Sequence, residues 1–179
     1  MNLNLQDKMC LSLAGEVTME FTSQSGDVIQ RLHMSNHISD SAIDILLGLL
    51  ARDIDDKIVS TISVGTGGDL NPATGLDTGA RFAPQDDEVQ MRQAIFDAPI
   101  AHVETDSINK RITYTAVLKT ENGNSDSINE LGLLSEDGTM LSHFITPADP
   151  VSGRATKYEK TNLLYMVVRW RLIPAIRRS

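Results

Sequence analysis

Residues 110–120 read Lys-Arg-Ile-Thr-Tyr-Thr-Ala-Val-Leu-Lys-Thr, and this stretch decides the class of fold. Ile112, Tyr114, Ala116 and Leu118 alternate with Arg111, Thr113, Thr115 and Lys119. A period of two puts every second side chain on one face of an extended chain, so this is a strand with one face in a core. The same kind of reading extends in both directions. Toward the C-terminus, Glu121–Ser127 is a turn. Strands at Ile128–Leu134 and Thr139–Thr146 follow, joined by Ser135-Glu136-Asp137-Gly138, a hairpin signal. Residues 147–161 form a loop, and Leu163–Leu172 is a last strand that ends at Pro174. Toward the N-terminus, Ile100–Thr105 and Glu88–Ala98 are two further strands, and β-branched Ile58–Val64 is a buried one. Between them lies Gly65–Asp87, a long loop rich in Gly, Pro and Asp with no apolar period; loops of this length are usually functional or mobile.

One helix interrupts the strands. Ser39 or Ser41 caps its start, and Asp40 and Asp44 suit the positive end of its dipole. Ile43, Leu46, Leu47 and Leu50 fall at i, i+3, i+4 and i+7, an apolar stripe facing the core, while Gly48 weakens it by about 1 kcal/mol relative to Ala. The run Asp53-Ile54-Asp55-Asp56 ends it. Before it, residues 12–22 and 28–34 form a hairpin about Ser23–Asp27. About eight strands and one helix, without repeat or linker, predict a mostly β domain over residues 1–179, a β-sandwich or jelly-roll.

The net charge of −8 argues against a nucleic-acid partner, which requires a basic footprint. The charge is uneven. Residues 1–149 carry 9 basic and 23 acidic side chains, a net −14, whereas residues 150–179 carry 7 and 1, a net +6. A basic C-terminal segment on an acidic body suits docking onto a neighbouring copy; the alternative is a solvated tail. Cys10 stands alone, so no internal disulfide is possible, and it reads as a small buried hydrophobe. No apolar run is long enough to cross a bilayer, and the N-terminal stretch, broken by Asp7, Lys8 and Glu16, is not a signal peptide.

No catalytic constellation emerges. Gly65-Thr66-Gly67-Gly68 follows a strand but lacks the Lys-Ser/Thr of a phosphate-binding loop. His33, His37, His102 and His143 have no metal-ligand spacing, and the acids at Asp55/Asp56 and Asp86/Asp87/Glu88 read as solvated caps. Asp69-Leu70-Asn71 and Glu121–Asp126 are oxygen-rich loops that could hold a calcium ion, but neither has the spacing of an EF-hand. No cofactor, metal or catalytic residue is therefore expected. Trp170 alternates with Val168 and Leu172 and reads as core. Glu130 is a polar position inside a strand, a structural anchor that requires a partner such as Arg111, Arg169 or Arg171; Gly132 beside it permits close backbone approach or a bulge.

Three stretches in order resemble structural proteins of tailed bacteriophages: the hairpin and helix opening at Gly15–Phe21 and Met34–Ile38; Ile62–Gly68 with Asn71–Thr74 and Leu76-Asp77; and Ile128–Leu134 with Asp137–Leu141, followed by Lys160 and Leu163–Leu172. The third is similar to an element of tail-fibre and tail-collar proteins, from which Leu131 and Leu134 depart where Ala and Phe are usual. The resemblance spans about Gly15 to Leu172. It implies a virion component of tail, baseplate, neck or fibre base, made in the host cytoplasm, with copies of itself and other virion proteins as partners. A homo-oligomer is expected, with contacts from the 65–87 and 147–161 loops and the chain ends through Asp69, Asn71, Asp77, Arg154, Lys157, Lys160, Arg177 and Arg178. A carbohydrate- or receptor-binding module on the virion surface is the alternative; a hydrolase with a carboxylate pair is a third.

Overall fold

The computed structural model describes residues 9–51 and 58–178. Ten strands are present: β1 (Met9–Ser23), β2 (Val28–Ile38), β3 (Val59–Gly65), β4 (Ala94–Asp106), β5 (Arg111–Leu118), β6 (Ser125–Ile128), β7 (Glu130–Ser135), β8 (Met140–Ile145), β9 (Tyr158–Lys160) and β10 (Leu164–Arg178). Helix α1 (Asp40–Ala51) lies between β2 and β3.

The expected sandwich or jelly-roll is wrong. Eight strands close into an antiparallel barrel in the order β1-β10-β5-β4-β3-β7-β8-β2, and β6 and β9 pair separately. Two strands that change partners along their length produce the closure. β4 pairs with β3 through Ala94–Pro99 and with β5 from Ile100 onward. The predicted break at Pro99 is a bend within one strand, and residues 88–93 belong to no strand. β2 pairs with β1 through Val28–Asn36 and then with β8 through His37↔His143 and Ile38↔Ser142. That two-pair seam turns two sheets into a barrel.

The alternation read in the sequence fills the interior. Val17, Met19 and Phe21 of β1, Ala116 and Leu118 of β5, Leu131 and Leu133 of β7, and Met166, Val168 and Trp170 of β10 share one buried cluster. Charges stand outside: Glu16 meets Arg171, and Glu20 meets Arg31 and Arg169. At one end α1 packs Ala42 and Ile45 against Leu141, with Leu13, Ile38 and Val59 around them. Ser39 and Ser41 do not cap the helix as expected; both hydroxyls donate to the Met140 carbonyl. The side chains of Leu46, Leu47 and Leu50, and the Asp53–Asp56 run, lie outside the described residues.

Pro174 does not end the last strand. β10 continues to Arg178, paired with β1 from Leu164↔Ser23 to Arg178↔Met9, whereas β5 leaves it at Leu172. Proline is tolerated where a strand lacks a partner on one side. The basic C-terminal segment is thus not a solvated tail through residue 178.

The helix end also carries the β4–β5 and β7–β8 turns. The three long connections, 66–93, 119–129 and 146–163, leave the barrel at the opposite end, as antiparallel order requires. The first does not stay there. It descends the outer face of β7 and β8 as far as the helix end, where Asp40 N donates to Asp86 O (3.0 Å) and Met140 N to Val89 O (2.9 Å). It then returns, and Thr66 N donates to Gln93 O (2.9 Å). Residues 66–93 are therefore a strap, and under it β7 and β8 are buried on both faces.

Candidate functional site

Along β7, Leu131 and Leu133 point into the core, so Glu130 and Gly132 point outward, under the strap. The Glu130 side chain is fully buried. One of its oxygens accepts from Arg92 N (2.7 Å) and contacts His143 Nε2 (3.0 Å). The other accepts from Gly67 N and Gln93 N, each at 3.0 Å. Both ends of the strap thus hang on one carboxylate. None of the expected arginines reaches it: Arg111 pairs with Asp106, Arg169 with Glu20 and Arg171 with Glu16, all on other strands.

His143 lies opposite Gly132 on β8 and is likewise fully buried. Its second ring nitrogen, Nδ1, meets Glu88 at 3.1 Å. A ring with a carboxylate on each nitrogen is a doubly protonated cation. Glu88 also receives Arg92 Nε (2.6 Å) and Nη2 (3.0 Å), and Arg92 donates onward to the carbonyls of Phe82 and Ala83. Glu88, Arg92, Glu130 and His143 make a charge-balanced foursome, which is how buried charge is tolerated.

The ionisation of each follows from its surroundings. Burial pushes Glu88 up, but hydrogen bonds from His143 and Arg92 overcome this and bring its pKa to about 2. Burial opposes the charged form of Glu130 too; the His143 bond and charge and the Arg92 and Gln93 amides hold it below the usual range. For His143, burial favours the neutral ring, and the bonds to Glu130 and Glu88 outweigh it and raise the pKa. Both ring nitrogens are engaged by carboxylates of the same chain. What the site does is fasten the strap.

Gly132 is small because Met91 crosses it: a Cβ there would stand 2.5 Å from Met91 Sδ. At Gly67 a Cβ would meet Glu130 Oε2 at 2.4 Å.

A second cluster joins the two loops singled out in the sequence. Arg154 Nε donates to Asp69 Oδ2 (3.0 Å), Ala155 N to Asp69 Oδ1 (2.6 Å), and the Arg154 guanidinium also binds Asp77. Arg81 N bonds Gly153 O (3.0 Å). Asp69, Asp77 and Arg154 are therefore stapled to one another within the chain. Asn71 accepts from Ala73 N in a local turn (2.9 Å), and Lys157 is exposed. Lys160 is no surface contact: it is buried, and its Nζ donates to Lys119 O (2.7 Å) and Asn124 Oδ1 (2.9 Å). Arg177 and Arg178 lie in β10, with side chains outside the described set. Trp170 is fully buried in the core.

Sequence reasoning missed Arg92 and His143 as partners of Glu130, and Glu88 as the second partner of His143. Glu88, which the sequence places among solvated caps, has a side chain only 9% exposed. Nothing local marks these contacts, because Glu130's partners lie 13 to 63 residues away. No family model, curated protein or solved structure matches this chain.

Proposed function

We propose that the chain is a structural subunit of a tailed-phage particle, acting through self-assembly and contacts with other virion proteins. The observation that carries this is the loop end of the barrel. There the Arg154 staple joins two long loops into one surface, and each loop shows water a large apolar side chain, Leu76 (66% exposed) and Val151 (94% exposed). Loops held by a scaffold are common binding elements, and stapling them in advance lowers the ordering cost of association. Self-association puts the partners within copies of the same chain, in line with the phage resemblance.

The test is sedimentation of the wild type and of Leu76→Asp/Val151→Asp. The wild type sediments as an oligomer and enters particles. The double variant sediments as a monomer with unchanged thermal unfolding, because neither side chain is in the core. A wild type that stays monomeric at every concentration and never enters particles overturns the reading; glycan binding by that monomer would favour the receptor-binding alternative.

A further inference from the structure

We propose that the strap, residues 66–93, is a latch that opens as one unit from an intact barrel and is held shut by the buried charges of Glu88, Arg92, Glu130 and His143.

The strap contributes nothing to the barrel core. Every member of that cluster comes from residues outside 66–93. The buried residues within the strap are Gly67, Gly68 and Asp69; its apolar contact is the partly buried Met91, which crosses Gly132. Its only regular structure is a three-residue 3-10 turn at Gly67–Asp69. A segment with few buried apolar contacts is one that opens below the free energy of global unfolding. What holds it is mainly polar: three of its amides on Glu130, its Glu88 on His143, its Arg81 guanidinium on the carbonyls of Ile145 and Thr146, two of its carbonyls taking the amides of Asp40 and Met140, and, at its loop end, Gly68 N on Asn129 and the Arg154 staple on Asp69 and Asp77, which must part as well when the whole strap opens. Opening leaves the core packed and bares Leu134, Met140 and Ile145, which are buried but belong to neither apolar cluster.

The groups around His143 set the direction of the response. Glu130 faces it from β7 and Glu88 from the strap, the latter neutralised by Arg92. Arg81 and His37 line the cleft that also contains His143, and His37 is paired with Asp86 (2.8 Å). His143 is raised, so its contribution is complete below the ordinary histidine value of 6.5 and is lost as pH rises through its folded value. Glu88 and Glu130 are lowered, so theirs is complete above the ordinary 4.5 and is lost only in stronger acid. The latch is tightest between those ordinary values and slackens on the alkaline side.

Hydrogen–deuterium exchange of the full chain tests this from about pH 5 to about pH 9, with rates corrected for intrinsic exchange. As pH rises from the ordinary histidine value of 6.5 toward the raised folded value, strap peptides lose about tenfold in protection per pH unit while β10 peptides keep theirs. His143→Gln leaves the strap poorly protected and removes its pH dependence. Glu88→Gln, which leaves Glu130 in place, reports the same loss more mildly. The proposal is overturned if strap and β10 peptides lose protection together at every pH, or if either variant retains wild-type strap protection. Should His143→Gln fail to fold, the wild-type pH series and Glu88→Gln decide.

Discussion

Replacing Glu130 with Gln changes almost no volume and removes one charge, so the response measures what the carboxylate does. Each of its oxygens serves two donors: Arg92 N and His143 on one, Gly67 N and Gln93 N on the other. Whichever way the amide is turned, its NH2 group faces one pair of donors, and two hydrogen bonds are lost. Bonds to a charged group contribute about 1.5–3 kcal/mol each, and removing one partner of a buried ion pair costs about 3–5 kcal/mol, so the expected loss is about 4 kcal/mol. For a chain of this size that lowers Tm by roughly 8–16 °C. The loss cannot exceed the docking free energy of the strap, because beyond that point the strap leaves and the barrel remains. Urea unfolding followed by the fluorescence of Trp170, the sole and fully buried tryptophan, gives the number. A loss under about 1 kcal/mol, with unaltered protection of the Gly67 and Gln93 amides, would refute the argument that Glu130 fastens the strap.

Three further substitutions probe other contacts. Gly67→Ala places a Cβ 2.6 Å from Arg92 Cβ and 2.9 Å from Gln93 N, and should cost about 1–3 kcal/mol in urea unfolding. Gly138→Ala is its control: with nothing within 4 Å of the new Cβ, only the positive φ of 83° opposes it, about 1–2 kcal/mol, and strap exchange should be unaltered. Lys160→Met keeps the length but strips the donors from Lys119 O and Asn124 Oδ1; about 2 kcal/mol should be lost in thermal unfolding, with the β6–β9 pairing showing the first rise in exchange.

Local pattern made much of the chain legible. The period of two over 110–120 gave β5, the Gly26 turn gave the first hairpin, and Ser135–Gly138 gave the β7–β8 hairpin, because side-chain alternation and turn chemistry operate over a few residues. A polar residue inside an apolar strand correctly marked Glu130 as a buried group that needs partners. Which partners it finds was not legible. Closure into a barrel hangs on the two pairs His37↔His143 and Ile38↔Ser142, over a hundred residues apart, and a sandwich would show the same alternation. Residues 65–87 have no apolar period because the strap's docking is mainly polar, so they read as a loop, while 88–93 read as the start of a strand that begins only at Ala94. Arg154 and Lys160 looked like free surface cations because the groups that bind them lie elsewhere in the chain: Asp69 and Asp77 for one, Lys119 O and Asn124 for the other. By itself the sequence determined strand positions and the identity of the core face, which depend on residues i and i+2. Only the tertiary structure decided the barrel, the strap and the pairing of buried charges, because register and ion pairs join residues that no local period relates.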